Sequence, residues 1–74
     1  MLELDARRLL CPMPVIRLQD FLLQQAIGTQ VKIFCSDPGV VNDIPAWCRI
    51  NGQKVINIDD QGDEVHIIVE KVTD

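Results

Sequence analysis

A chain of 74 residues has room for one small domain, which buries only about 60% of the surface its unfolded form exposes and leaves no space for a second core or a cofactor domain. Hydrophobic residues make up 47% of it and charged residues 24%, the balance of a globular chain rather than a disordered one. The formal net charge of −4 opposes nonspecific binding to a phosphate backbone, which depends on clustered Lys and Arg.

The first residues, Met1 to Ala6, carry Glu3 and Asp5 and lack the apolar core of a signal peptide. No run reaches the roughly 18 apolar residues of a membrane span. Cys11, Cys35 and Cys48 are odd in number and widely spaced, which is not the pattern of a disulfide framework. A reducing compartment fits that usage, so the expected location is cytoplasmic.

Leu2, Leu4 and Ala6 alternate with Glu3 and Asp5, the period of a short half-buried strand. Arg7 to Leu10 form a loop, and Pro12 and Pro14 then mark a helix start, because proline fixes φ near the helical value and is tolerated only in the first turn. A helix beginning at Pro12 places Cys11 at its N-cap. Val15, Leu18, Leu22 and Ala26 fall on one face, Arg17, Asp20 and Gln24 on the other, and Gly28 suits the left-handed position that ends a helix.

Residues 30–36 alternate again, with Val31, Ile33 and Cys35 on one side, and read as a second strand, parallel to the first. Asp37-Pro38 resembles an N-cap followed by proline at N1. Pro45 complicates the second helix, which either begins at Pro38 and kinks or restarts near Asp43. Asn51-Gly52 supply its stop. Lys54 to Ile58 and Glu64 to Val72 are two β-rich runs joined by the polar loop Asp59 to Asp63, a hairpin in which Val65, Ile67 and Val69 face the helices. The order is βαβαββ. It predicts an α/β (α+β) two-layer sandwich, a four-stranded mixed sheet with two helices on one face, as a single domain over residues 1–74.

The thiol at the proline-marked helix start is the strongest candidate for chemistry. Helix N-termini favour anions, and the thiolate is the nucleophilic form of cysteine. Cys35 and Cys48 read as packing residues, since free cysteine is among the most buried residue types. The three cysteines and His66 lack the close ligand spacing of a structural zinc site, so no metal is expected. The acidic loop lacks a calcium-binding pattern and reads as a solvated turn. Trp47 reads as a core anchor, and His66 as an outward strand residue without a neighbouring carboxylate for a relay. No Gly-rich phosphate loop is present, and no cofactor is expected. A thiol standing without a positioned base suits group transfer more than independent turnover. A noncatalytic regulatory or protein-binding module remains the alternative, and an RNA-binding domain, by analogy of fold, is opposed by the acidic balance.

Leu4-Asp5, Leu10-Cys11-Pro12-Met13-Pro14-Val15, Asp37-Pro38-Gly39, Asp43-Ile44-Pro45 and Trp47-Cys48 together resemble the TusA/SirA family of small sulfur carrier proteins. The Cys-Pro-x-Pro element is the specific part. The resemblance implies that Cys11 accepts sulfane sulfur as a persulfide and passes it on, in the manner of a sulfurtransferase-like carrier. It also implies a βαβαββ sandwich, in agreement with the order read from the residues. Pro12 and Pro14 would shape the site, and Arg8, Met13 and Arg17 would form the rim that partners touch. The implied partners are a protein donor, either a cysteine desulfurase or a rhodanese-like protein, and a protein acceptor, with no direct contact to nucleic acid or membrane. Where many relatives have basic residues in the middle of the first helix and before the Asp-Ile/Phe step of the second, this chain has Gln19, Asp20 and Asn42. Their Gly-His pair after the second helix is Gly52-Gln53 here.

Overall fold

The computed structural model describes residues 2–10 and 12–73. Six elements follow one another: β1 (Leu2–Ala6), α1 (Met13–Leu23), β2 (Gln30–Cys35), α2 (Val40–Asn51), β3 (Lys54–Asp60) and β4 (Val65–Glu70). The βαβαββ order read from the alternating and helical periods is therefore the observed one. The strands form a four-stranded sheet in the order β1-β2-β4-β3. β1 pairs parallel with β2, with Leu2 opposite Val31 and Ala6 opposite Cys35. β4 pairs antiparallel with both β2 and β3.

The register explains why one face is buried. Opposite residues of a ladder point to the same side, and the pairs Val31–Val69, Ile33–Ile67 and Cys35–Val65 are all apolar. Together with Ala6 they form the floor of the core, covered by Leu18 and Leu22 from α1 and by Val40, Ile44 and Cys48 from α2. Both helices thus share one face of the sheet, as the periodicity of each predicts. Phe34, His66, Lys32 and Ile68 occupy the opposite, uncovered face.

Helix and strand ends depart from the sequence expectation at several points. α1 begins at Met13, so its N-cap position falls on Pro12, with φ −97° and ψ 13°, rather than on residue 11. It ends at Leu23, before Ala26, which is exposed. Its last turn tightens through bonds from the Gln24 and Gln25 N–H groups to the Phe21 and Leu22 carbonyls. Just beyond it the Gln25 carbonyl accepts a bond from far along the chain, donated at 2.8 Å by the buried Lys71. Gly28, with φ +95°, serves the turn into β2 instead of closing the helix, and its N–H meets the Lys71 carbonyl.

α2 runs unbroken from Val40 to Asn51 with Pro45 inside it, beginning neither at Pro38 nor at Asp43. Asp37 acts one turn earlier, where its Oδ1 accepts the Gly39 N–H at 2.9 Å and its carbonyl accepts the Val40 N–H. The helix stops as expected at Gly52, whose φ of +77° is left-handed, and the Gln53 N–H reaches back to the Cys48 carbonyl at 2.8 Å. A side chain at this glycine would be strained by that φ and would set its Cβ 2.9 Å from Thr73 Cγ2. Gly52→Val is therefore expected to cost more than about 1 kcal/mol, read as a fall of several degrees in Tm. An unchanged Tm would mean that the chain after β4 does not pack against this turn.

The β3–β4 connection is shorter than the polar loop expected from sequence, because β3 continues through Asp59 and Asp60. The Gln61 N–H meets the Glu64 carbonyl at 2.8 Å, and Gly62, with φ +93°, donates its N–H to Asp60 Oδ1 at 3.0 Å. β4 begins at Val65 and ends at Glu70. The pairing of β3 with β4 slips between Val55 and Asn57, leaving Ile56 as a bulge on the edge strand.

Candidate functional site

The segment from the end of β1 to the first turn of α1 carries most of the candidate residues. The candidate thiol, Cys11, lies outside the described residues; the chain on either side of it is described. Arg7 and Arg8 turn away from β1. Arg8 has φ +71°, the sole positive value for a non-glycine among the described residues, and its N–H donates to Ser36 Oγ at 2.9 Å. The Leu9 N–H bonds the Ala6 carbonyl, the Met13 N–H bonds the Leu10 carbonyl at 2.8 Å, and the Ile16 N–H bonds the Pro12 carbonyl. The approach to the helix is thus hydrogen-bonded on both sides of residue 11.

The two prolines have different roles. Pro12 is exposed, whereas Pro14 is fully buried and fixes the first turn of α1 to the core. Met13 and Arg17 stand one turn apart on the exposed side of α1, where residues four apart are neighbours. Leu10, 75% exposed, and Ile16, 42% exposed, add apolar surface on this side of the molecule. Arg8 lines a separate polar cleft, so the three rim residues do not form one cluster: Met13 and Arg17 share a helix surface and Arg8 faces the cleft.

That cleft is about 610 Å³ and is lined by Asp5, Arg7, Arg8, Ser36, Asp63 and Glu64. Arg7 grips the Asp5 carboxylate with two bonds, from Nε at 3.0 Å and Nη2 at 3.2 Å. Its Nη1 lies 3.7 Å from Glu64 Oε2, and the other oxygen of Glu64 is 2.9 Å from His66 Nε2. The hydrogen bond from Arg7 holds the Asp5 carboxyl below its ordinary range, and the bond to His66 does the same for Glu64. His66 also packs edge-on against Phe34, with ring centres 4.7 Å apart. The expectation that His66 lacks a nearby carboxylate is overturned. Glu64 stands two residues earlier, and the period of the strand brings both side chains to one side, a signal that the sequence does contain.

Trp47 is half-buried and packs against the core, and its Nε1 donates to Gln19 Oε1 at 3.3 Å, tying the two helices together. Gln53 holds the C-terminal segment, its Oε1 accepting the Val72 N–H at 2.9 Å and its Nε2 donating to the Thr73 carbonyl. Gln19 and Gln53 thus carry side-chain bonds that staple the fold.

Cys35 and Cys48 are free and buried, at 0% and 1% exposure. Burial pushes both thiols up to about 11, with the nearby Asp37 and Asp5 charges adding to the effect at Cys35. Both are packing residues, as their positions in the alternation and the helix predict. A thiol whose pKa is raised on folding contributes stability that is fully present below its unfolded value, near 9, and is lost as pH rises toward 11. The Tm is accordingly expected to fall between pH 9 and pH 11 by more in the native sequence than in a Cys35→Ala, Cys48→Ala double variant. Equal slopes for the two proteins over that window would show that the thiols are not buried as described.

The sequence matches the family model for the sulfurtransferase TusA over residues 2–71. It is 30% identical over 69 residues to the sulfur carrier protein TusA of Allochromatium vinosum, spanning 93% of this chain and 91% of that one. It is 33% identical over 55 residues to the TusA of Buchnera aphidicola, spanning 74% and 70%. The crystal structure of a SirA-like protein from Desulfitobacterium hafniense superposes with a TM-score of 0.82 over 99% of this chain and 100% of its own, at 17% identity, and so shares the fold. The chain belongs to the TusA family of sulfur carrier proteins. Proteins of this class hand sulfur between protein partners. None of the helices described is long and apolar enough to cross a membrane.

Proposed function

We propose that residues 1–74 act as one sulfur carrier domain that holds sulfane sulfur as a persulfide on Cys11 and relays it from a protein donor to a protein acceptor. The observation that carries this reading is the family match across residues 2–71 in a chain whose other two cysteines are buried in the core with raised pKa values. Cys35 and Cys48 are poor nucleophiles at neutral pH, because only the thiolate attacks. Cys11 is the remaining thiol.

In the forward step the Cys11 thiolate attacks the outer sulfur of a donor persulfide, held by a cysteine desulfurase or a rhodanese-like protein. A new sulfur–sulfur bond forms, the donor bond breaks, and the donor leaves as a thiolate. The acceptor thiolate then repeats the exchange on the outer sulfur held by Cys11. The chemistry asks little of the protein beyond an accessible sulfur and surfaces on which partners can dock. The exposed residues Leu10, Met13, Ile16 and Arg17 beside the helix start support a docking rim there, with Pro12 exposed beside it and Pro14 anchoring the turn beneath. A cytoplasmic, reducing setting suits a carrier that must keep a free thiol.

Incubation with a cysteine desulfurase and cysteine, followed by mass spectrometry, is expected to show a gain of one sulfur atom that a reductant removes. Peptide mapping should place it on Cys11. A gain on Cys35 or Cys48, or no gain either with the desulfurase or when a loaded rhodanese-like protein replaces it, would overturn the reading.

A further inference from the structure

We propose that Ser36 is a positioning residue for sulfur transfer, its hydroxyl locking the left-handed turn at Arg8 from which the thiol segment departs. The role rests on the carrier reading; the bond that performs it does not.

The chain leaving β1 crosses from one face of the sheet to the other between Arg7 and Leu9. Arg7 stays on the open face, tied to Asp5 and Glu64, with its guanidinium carbon 5.7 Å from the centre of the Phe34 ring. Leu9 is half-buried and packs against the core that the helices cover. Arg8 makes the crossing, and does so with φ +71°. A residue with a Cβ enters this region at a cost, and the conformation persists only where the surroundings over-determine it. Glycine would avoid the cost, but the sequence has arginine here, so the hold comes from a partner.

That partner lies outside the turn. The Arg8 N–H donates to Ser36 Oγ at 2.9 Å across 28 positions of chain. The parallel pairing of β1 with β2 sets Ala6 opposite Cys35, which brings the residue after β2 alongside the turn after β1. Ser36 is exposed, so its hydroxyl serves the turn rather than the core. From Arg8 the chain has only Leu9 and Leu10 before residue 11. On the far side of the motif, the bond from the Met13 N–H to the Leu10 carbonyl, at 2.8 Å, ties the segment to α1. Ser36 governs the near side: without its bond the turn relaxes toward negative φ, and the segment that carries the thiol shifts with it. The rim residues Met13, Ile16 and Arg17 sit on α1, which this bond does not join. Docking therefore persists while delivery of the sulfur slows, and the loss falls on the maximal rate rather than on KM.

Initial rates of sulfur loading from a cysteine desulfurase and cysteine, read by mass spectrometry over a range of carrier concentrations, test this split. Ser36→Ala is expected to lower the maximal rate about threefold, the effect of one lost hydrogen bond, and to leave KM unchanged. Ser36→Thr keeps the hydroxyl and should restore the native rate. In an Arg8→Gly background, where the positive φ carries no strain, adding Ser36→Ala should change the rate little. A native rate in Ser36→Ala, a loss confined to KM, no recovery in Ser36→Thr, or the same loss in the Arg8→Gly background overturns the proposal. Deuterium exchange of the Arg8 amide reads the turn without any sulfur. Ser36→Ala should speed it about threefold, and equal exchange in the two chains overturns the hold of Ser36 on the turn. If the native chain loads no sulfur while the exchange result stands, the carrier reading falls and the held turn remains.

Discussion

Cys11→Ser is expected to abolish sulfur loading, reducing the one-sulfur mass gain seen with a desulfurase and cysteine to background. Serine keeps the size of the side chain but its hydroxyl is not ionised near neutral pH and cannot form a persulfide. The protein should still fold, since the described core is built by other residues, among them Cys35 and Cys48. The same variant separates the carrier from a noncatalytic binding module. If Cys11→Ser supports sulfur transfer in cells as well as the native chain does, the module reading replaces the carrier. The proline arrangement adds a finer expectation. Pro12→Ala changes an exposed residue and should act on transfer more than on stability, whereas Pro14→Ala opens a buried position and should lower Tm as well.

The largest expected loss of stability comes from Leu18→Ala. Leu18 is fully buried between α1 and the sheet, and large-to-small changes at such positions cost about 2–5 kcal/mol, from lost burial plus the cavity left behind. A domain of 74 residues holds only about 4–11 kcal/mol in total. The variant is therefore expected to melt at least about 10 °C lower and to be partly unfolded at growth temperatures. Ile16→Ala on the exposed side of the same helix serves as the control and should shift Tm little. Similar shifts for the two would mean that α1 is rotated from the orientation described.

The order of elements was legible in the sequence because each strand and helix has a distinct period. Val31, Ile33 and Cys35 alternate, as do Val65, Ile67 and Val69, and the register of β2 with β4 brings these two sets onto one face. Leu18 and Leu22 keep helical spacing. The element ends were less legible, because some of the bonds made beyond them come from groups distant in the chain. Lys71 takes the Gln25 carbonyl from 46 residues away, and no local signal near Leu23 announces it. Pro45 looked like an interruption, but Ile44 and Cys48 on either side of it are both buried, and α2 continues between them. The thiol motif was visible as four adjacent residues. The cleft was not, because Asp5, Ser36 and Glu64 come together only once β1, β2 and β4 are laid side by side.

The bulge at Ile56 bears on how this protein behaves in a crowd. β3 is an edge strand with Ile56 and Ile58 partly exposed, at 41% and 40%, and a flat edge of that kind is a template on which a second copy could add its own strand. The extra residue breaks the even spacing of backbone donors and acceptors along the ladder, and Asp59 and Asp60 place like charges where two such edges would meet. Self-assembly along β3 is thereby discouraged, which keeps a small sulfur carrier from being sequestered by its own kind.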